Sequence, residues 1–174
     1  ITKILMKNLK YFIFVLIILL PSYSFAENKI VFIDIDFLMK NSNIGKLSLK
    51  KLENLNTKNV KILKDNEQIL KDKENILLQK KNIITKEEFE KEINNLRLQI
   101  NDFKVKKDNM VKDFNNLKVE ELNNVLAKFN IKIQDYMSQN SIDIVLNKNN
   151  IFIGKVSSDI TKSVLVEINN EFKE

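Results

Sequence analysis

The feature that most constrains the fold of this chain is a long stretch without helix-breaking residues. Between Gly45 and Met137 the sequence has no Pro, no Cys and no further Gly, and apolar residues recur there at helical spacing. The pattern breaks once, near residues 82–86. Because apolar residues at intervals of three and four line one face of a helix, the stretch predicts two long helices that pack together. We therefore predict an antiparallel coiled-coil hairpin, an arm spanning residues 44–140 with its tip near residues 82–86.

The predicted outgoing helix carries a strict seven-residue apolar repeat. Its members are Leu55, Ile62, Ile69, Ile76 and Ile83. Such a repeat is typical of a left-handed coiled coil, so we expect it to form the seam of the hairpin. The second seam position is polar, at Asn59, Asn66, Lys73 and Lys80. The seam should therefore be narrow, and wet toward the tip.

The predicted return helix begins at a capping box and changes its apolar face along its length. Thr85 and Glu88 have the spacing at which side chains satisfy each other's backbone amides in the first turn of a helix. A first apolar stripe follows at Phe89, Ile93, Leu96, Ile100, Phe103, Met110, Phe114 and Leu117. A second stripe, shifted in frame, runs through Leu122, Val125, Phe129 and Ile133. The return helix is longer than the outgoing one, so we expect this second stripe to pack against whatever lies at the base of the hairpin.

Strand-like patterns flank the hairpin on both sides. The segment 30–35 is β-branched and short, and residues 142–147 alternate between apolar and polar side chains. Asn147–Asn150 resembles a turn, so we predict that residues 151–154 form the second half of a β-hairpin. A short terminal helix should follow, with an apolar stripe at Ile160, Val164, Ile168 and Phe172. The predicted fold class is therefore α+β.

The flanking segments, residues 27–43 and 141–174, are too small to build a core on their own. Strands with apolar faces need other strands to cover them. Association with further copies of the same chain is the simplest source of such strands. We therefore expect these segments to form a β-rich oligomerisation body completed by other copies of the chain. The expected contact residues of this body are Ile30, Phe32, Ile144, Leu146, Ile151 and Ile153.

The N-terminal residues 1–26 have the organisation of a secretory signal peptide. Basic residues come first, then the apolar run Tyr11–Leu20, then Pro21 and a small-residue exit with Ser24 and Ala26 at the expected positions. We expect cleavage after Ala26. The alternative is a retained membrane anchor, but a spanning helix needs about 20 apolar residues and this run is about half that length.

The composition argues against catalysis and against cofactors. The chain has no His and no Cys, which excludes the commonest metal ligands, disulfides and the commonest general base. Its two glycines, at 45 and 154, cannot form a phosphate loop. A carboxylate site built from Asp34, Asp36 and Asp143 is the remaining alternative, and we do not favour it. With 29 basic and 23 acidic residues, the charge is too even for a nucleic-acid binder.

In its order of segments the chain resembles the Skp (OmpH-like) family of periplasmic chaperones. The resemblance covers the region after the signal segment and rests on the ordered set rather than on any single motif. The matching segments are Ile30–Asp36, Ser42–Lys46, Ile142–Asn147, Ile151–Ile153 and Asp159–Thr161. The resemblance implies a homotrimer in which strands form a shared body and three arms surround a cavity. It also implies that the cavity holds unfolded outer-membrane proteins in the periplasm, without ATP and without a cofactor.

Lysines near the arm tip are candidates for contact with these clients or, weakly, with an anionic membrane surface. They are Lys73, Lys80, Lys81, Lys86 and Lys91. The alternative is that they form a solvated face that supports pairs such as Glu87–Lys91.

Two other non-enzymatic functions remain open from the sequence. A structural spacer or envelope adaptor would use the same hairpin as a rod, but would not need the flanking strands. A peripheral stalk subunit of a rotary ATPase also combines an apolar N-terminus with a long polar helix, and would require that N-terminus to be retained.

Overall fold

The structure is a computed structural model, and it describes residues 28–173. The predicted signal peptide, residues 1–26, lies outside the described residues. The helices and strands in chain order are β1 (Ile30–Ile33), α1 (Ile35–Asn41), α2 (Asn43–Lys80), α3 (Lys86–Gln139), β2 (Ile144–Asn147) and α4 (Thr161–Glu171), with short 3₁₀ turns at Lys148–Asn150 and Val156–Ser158. Two long helices joined to a small sheet confirm the predicted α+β hairpin fold.

Side chains close in sequence cap the first turn of each long helix. Ser42 caps α2, because its hydroxyl accepts a hydrogen bond from the amide of Gly45 at 3.1 Å. The predicted capping box is present at the start of α3, where Thr85 and Glu88 satisfy each other's backbone amides. With 38 residues in α2 and 54 in α3, and about 1.5 Å of rise per residue, α3 extends about four turns beyond α2.

That overshoot of α3 forms one wall of the hydrophobic core. Val125, Phe129 and Ile133 are buried there, as the shifted apolar stripe predicts. They pack in one cluster with the core-facing residues of β1, α1 and α4. The small body therefore gains much of its core from the base of the return helix.

The terminal helix α4 closes this core from another side. Val164 and Ile168 are fully buried, and Phe172 is partly buried with the ammonium of Lys128 at 5.3 Å from its ring centroid. The amide of Asn43 donates to Oδ1 of Asn169 at 2.9 Å, which ties α4 to the first turn of α2. The predicted terminal stripe is confirmed.

The sheet consists of two parallel strands that are separated in sequence by the whole hairpin. Ile30 lies beside Ile144 and Phe32 beside Leu146. On the other edge of β1, the amide of Ile160 donates to the carbonyl of Phe32 at 3.0 Å. Parallel strands need a long crossover connection, and here α2 and α3 form it. The chain leaves the sheet after β1, runs out along α2, returns along α3 and enters β2 beside β1.

The prediction of a strand over residues 151–154 is wrong. The chain turns through the 3₁₀ segment Lys148–Asn150 and then runs irregularly, with Phe152 and Ile153 at 104% and 85% exposure. The amide of Asn149 donates to Oδ1 of Asn147, and this local turn directs the chain away from β2. An alternating apolar pattern forms a strand only where another strand lies beside it, and the described part of one copy provides none here.

Both glycines lie where another group comes too close for a side chain. A Cβ at Gly45 would lie 2.1 Å from the carbonyl oxygen of Met39, so glycine is required for α1 and α2 to meet at this angle. A Cβ at Gly154 would lie 2.8 Å from the ring of Phe32, which the 151–154 segment covers.

Candidate functional site: the arm and the exposed sheet face

The helical arm and the small body differ in how many side chains they bury. Because Val125, Phe129 and Ile133 of α3 belong to the core, we narrow "arm" from the predicted residues 44–140 to residues 53–118, and we use "body" for residues 28–52 and 119–173. Throughout the arm, all of which the structure describes, Leu77 is the one fully buried side chain, at 6% exposure. Each of α2 and α3 has only the other to pack against, and two helices alone cannot enclose a core. The arm is therefore a thin two-helix ribbon.

Toward the tip the strict seven-residue repeat does not lie at the centre of the seam, so that part of the prediction is wrong, whereas Leu55 and Ile62 nearer the base are half-buried. Ile69 and Ile76 are each 52% exposed, and Ile83 in the tip turn is 80% exposed. The side chains that face α3 instead follow each of them by one residue: Leu70, Leu77 and Ile84 are half-buried or buried. A rotation of α2 by one residue, about 100°, moves the isoleucines to its flank.

The polar seam position is confirmed as part of the helix interface. Asn59, Asn66 and Lys80 are half-buried between the helices. The ammonium of Lys73 donates across the hairpin to Oε1 of Gln99 at 2.6 Å. Beside this bond lies a cavity of about 250 Å³ whose lining includes Leu77, Asn95 and Gln99 as well as Lys73. The seam is thus loose and polar toward the tip.

Aromatic residues of the return helix contribute to the seam and are not free surface groups. Phe89, Phe103 and Phe114 are all half-buried. Phe103 lines a cavity of about 230 Å³ together with Leu70, and Phe89 lines one of about 210 Å³ together with Leu77. The seam residues of α3 were therefore predicted correctly, whereas those of α2 toward the tip lie one position after the predicted residues.

The five candidate lysines all lie in the distal half of the arm. Lys81, Lys86 and Lys91 are exposed around the tip, Lys80 is half-buried, and Lys73 is exposed but bonded to Gln99. Within residues 28–173, none of the five forms an ion pair, and the Glu87–Lys91 pair is not made.

The candidate body residues lie mainly on the outer face of the two-stranded sheet. Ile30, Ile144 and Leu146 are 50%, 43% and 44% exposed, and their register brings them together on that face. Phe32 belongs to the same face but is covered by the 151–154 segment. Ile153 is exposed and Ile151 is half-buried in that irregular segment.

A polar clamp joins this sheet to α4; the sequence marked residues 159–161 as part of the family resemblance but did not predict their contacts with Lys148 and Asp34. The carboxylate of Asp159 accepts hydrogen bonds from the amide and hydroxyl of Thr161 and, at 2.9 Å, from the ammonium of Lys148. The hydroxyl of Thr161 also accepts a bond from the amide of Asp34 at 2.9 Å. Burial disfavours the charged form of Asp159, but the hydrogen bonds from Thr161 and Lys148 outweigh it, so the pKa of this carboxyl lies below its ordinary value.

The three aspartates considered as a carboxylate site serve the backbone or a neighbouring amide. Asp34 caps α1 by accepting from the amide of Phe37 at 2.8 Å, and Asp143 accepts from the amide of Lys29 at 2.7 Å. Asp36 accepts from the side-chain amide of Asn149 at 3.1 Å. Across residues 28–173 no three His, Cys, Asp or Glu side chains are grouped as metal ligands would be. A membrane-spanning helix is likewise not found in that part of the chain.

The fold and its surfaces define a non-globular class of protein, a long helical hairpin on a small α+β body with an uncovered apolar sheet face. The sequence profile of the outer membrane protein (OmpH-like) family matches residues 29–168, and the chain belongs to that family. The resemblance seen in the sequence is thereby confirmed.

A solved structure has the same fold. It is the crystal structure of a candidate outer membrane chaperone (OmpH-like) from Caulobacter crescentus CB15, which is 18% identical to this chain. The match covers 88% of this chain and 91% of the other, with a TM-score of 0.78. No curated protein matches the sequence significantly.

Proposed function

We propose that this protein is a periplasmic holdase chaperone that keeps unfolded outer-membrane proteins from aggregating, without ATP. In this proposal the body joins several copies of the chain, three by family resemblance, and their arms surround the client. The proposal rests on membership of the OmpH-like family, on the chaperone description of the Caulobacter crescentus structure, and above all on the division into body and arm. The family is generally non-enzymatic, which agrees with a holding function.

Self-association of the body is supported by apolar surface that a single copy leaves in water. Phe152, Ile153 and Val156 are almost fully exposed, beside the half-exposed Ile30 and Leu146. Burial of one such side chain stabilises an interface by about 1.5–3 kcal/mol, so a few of them supply a substantial part of an association free energy. Strand β2 also has a backbone edge on the side away from β1, and such edges pair readily with another chain.

The client in this proposal is an unfolded β-barrel protein, whose strands alternate apolar and polar residues and aggregate in water. A chaperone must hold such a chain without fixing any one segment. The arm suits that task, because its surface mixes exposed apolar side chains such as Leu78, Leu98 and Val105 with many Lys and Asn. Several weak contacts, each easily broken, add up to useful retention when they are linked in one assembly.

The tip lysines contribute electrostatic attraction to acidic clients or to an anionic membrane surface in this proposal. Lys81, Lys86 and Lys91 are exposed and carry no ion pair among the described residues, so they are free to meet an outside charge. Reversal of Lys80, Lys81, Lys86 and Lys91 to Glu should weaken client binding and reduce its dependence on salt. If affinity and salt dependence both stay the same, these lysines form only a solvated face.

Sedimentation velocity with and without an unfolded outer-membrane barrel protein tests the proposal. The mature chain, beginning at residue 27, should sediment as an oligomer and should keep the client in a soluble complex of defined mass. A monomer would remove the proposed body. An oligomer that leaves the client to aggregate would remove the chaperone function and favour a structural spacer.

A further inference from the structure

One flank of α2 carries an apolar row that is half exposed toward the tip, at Ile69 and Ile76, and partly covered nearer the base, at Ile62. We call Ile62, Ile69 and Ile76 the isoleucine ladder. Ile69 and Ile76 are 52% exposed, because α3 packs against the neighbouring positions, such as Leu77. Cavities of about 230 and 250 Å³ separate these two isoleucines from α3, so the ladder borders an open groove rather than a filled interface.

The spacing of the ladder fits a helical partner. Seven residues of helix correspond to about 10.5 Å, and a second helix in a left-handed coiled coil presents side chains at that same repeat. An extended strand presents same-face side chains about every 6.8 Å, so it falls out of step with the ladder after one contact. The ladder therefore fits another α-helix with a seven-residue repeat, and α2 of a second copy is such a helix.

The charges beside the ladder select a parallel arrangement of the two helices. On a helix the residues three and four positions after Ile69 lie on opposite sides of it, and these are Asp72 and Lys73. When two copies run parallel and in register, Asp72 of one copy faces Lys73 of the other. An antiparallel pair with Ile69 opposite Ile76 would instead bring Asp72 against Asp72 and Lys73 against Lys73. The ammonium of Lys73 has three donors, so it can keep its bond to Gln99 while it meets a carboxylate.

We propose that the isoleucine ladder is a contact between the arms of two copies of this chain, running parallel from a shared body. The contact closes the arms on each other while no client is present, and a client must displace it to enter. This inference rests on the proposed association of the body, because joined bodies are what hold the arms parallel. It adds a regulatory step, since the free energy of arm pairing lowers the apparent affinity for clients.

Site-specific disulfide formation tests the contact, and the chain suits the test because it has no native Cys. The variant Ile76→Cys places a thiol in the ladder. The matched control Leu78→Cys places one two residues away on the same helix, at 60% exposure and on the other flank. Because a paired ladder raises the effective concentration of the two thiols, Ile76→Cys should form covalent dimers at least about fivefold faster under mild oxidation. Addition of an unfolded barrel protein should slow that reaction by a larger factor than it slows the control, because the control has no paired contact to lose.

The charge arrangement is tested in the same assay. Asp72→Lys in the Ile76→Cys background should slow cross-linking about threefold, because it places Lys opposite Lys73 of the other copy. Addition of Lys73→Asp to that variant should restore the rate, since opposite charges then face each other again. A structural effect of Asp72→Lys alone would not be reversed by the second exchange.

Three results would overturn the proposal. Equal cross-linking rates for Ile76→Cys and Leu78→Cys in a sample that sediments as an oligomer would reject the ladder contact and leave the proposed function intact. Disulfide formation between Ile76→Cys and an unfolded barrel protein that carries one Cys, with none between copies, would assign the ladder to client binding. Sedimentation of both reduced variants as monomers would reject the shared body, and with it both the ladder contact and the assembly proposed above.

Discussion

The body and the arm are built partly from the same helix, yet they are packed by different means. Near its base α3 buries Phe129 completely, whereas in the arm it leaves Phe103 and Phe114 partly exposed. All three are phenylalanines at helical spacing on one element. What differs is the number of neighbours, because α3 meets strands and α4 in the body but only α2 in the arm. Burial is thus set by how many layers surround a helix and not by how apolar its face is.

This difference divides the molecule into a firm part and a loose part. The body should unfold as one cooperative unit, because its core residues come from β1, α1, α3 and α4 together. The arm has few buried contacts and polar groups in its seam, so its helices should open locally at low cost. A holding protein benefits from both properties, since the body keeps copies together while the arm adapts to a changing client.

The largest expected effect comes from truncating the same residue type in the two regions. Phe129→Ala should lower the free energy of unfolding by about 3–5 kcal/mol, because it opens a cavity in a closed core. Phe103→Ala should cost about 1–2 kcal/mol, because part of that ring is already in water and no closed cavity is left. Urea titrations followed by circular dichroism, at one protein concentration, measure both values. Equal losses would mean that the arm is packed as firmly as the body.

Two buried serines near the base of α2 sharpen the comparison inside the body. The hydroxyl of Ser42 caps α2 at the amide of Gly45, whereas the hydroxyl of Ser48 is buried without a partner among the described residues. Ser42→Ala should cost about 1–2 kcal/mol through loss of the cap. Ser48→Ala should be neutral, or stabilising by up to about 0.5 kcal/mol, since it removes an unpaired polar group and introduces a better helix former. A loss of stability in Ser48→Ala comparable to that in Ser42→Ala would mean that the Ser48 hydroxyl makes a hydrogen bond in solution.

The clamp at Asp159 should make the stability of the body depend on acid pH. Its pKa is lowered below the ordinary 3.8, so the carboxylate stabilises the fold above that pH, and this contribution is lost as the pH falls through the lower folded-state value. Asp159→Asn should cost about 1 kcal/mol at neutral pH, since it weakens charged hydrogen bonds at a partly exposed site.

The difference between the native chain and Asp159→Asn should then shrink as the pH is lowered below about 3.8, in thermal or urea unfolding. Asp135→Asn is the control and should cost less than about 0.5 kcal/mol, because the Asp135 carboxylate is about half exposed and its partner Lys132 keeps a second pair with Glu171. A constant difference across the acid range would show that the Asp159 carboxylate is not the stabilising group.

The smallest effect is expected from filling the arm seam. Asn66 is half-buried beside the cavity of about 230 Å³, and its side-chain amide bonds only to the carbonyl of Ile62 in its own helix. Asn66→Leu should slow amide hydrogen exchange in the surrounding arm about twofold, because it replaces a polar seam contact with an apolar one. Asn56→Leu, at an exposed position of the same helix, should have no such effect. If Asn66→Leu does not slow exchange, the polar seam is not what loosens the arm.

Features that depend on short stretches of sequence were predictable. The hairpin, its capping box at Thr85 and Glu88, and the burial of Val125 and Phe129 all follow from periodicity and local bonding. The side of α2 that meets α3 was not predictable, because Ile76 and Leu77 are adjacent and equally apolar, and only packing decides between them. The irregular course of residues 151–154 was not predicted for a related reason. An apolar segment forms a strand only where another strand lies beside it, and the sequence does not show whether one does.

Of the candidate functional surfaces, one was predictable from the sequence and one was not. The outer sheet face, with Ile30 and Leu146, was predicted because the short apolar strands beside the hairpin are too few to cover one another. The clamp of Asp159, Thr161 and Lys148 did not, because it joins segments that come together only after the whole hairpin has been crossed.

Hydrogen exchange resolved by segment, on the assembled protein with and without an unfolded outer-membrane barrel protein, tests the division of labour between body and arm most directly. The client should slow exchange in the arm, residues 53–118, and leave exchange in the body unchanged. Protection confined to the body, or no change in the arm while the client stays soluble, would contradict it.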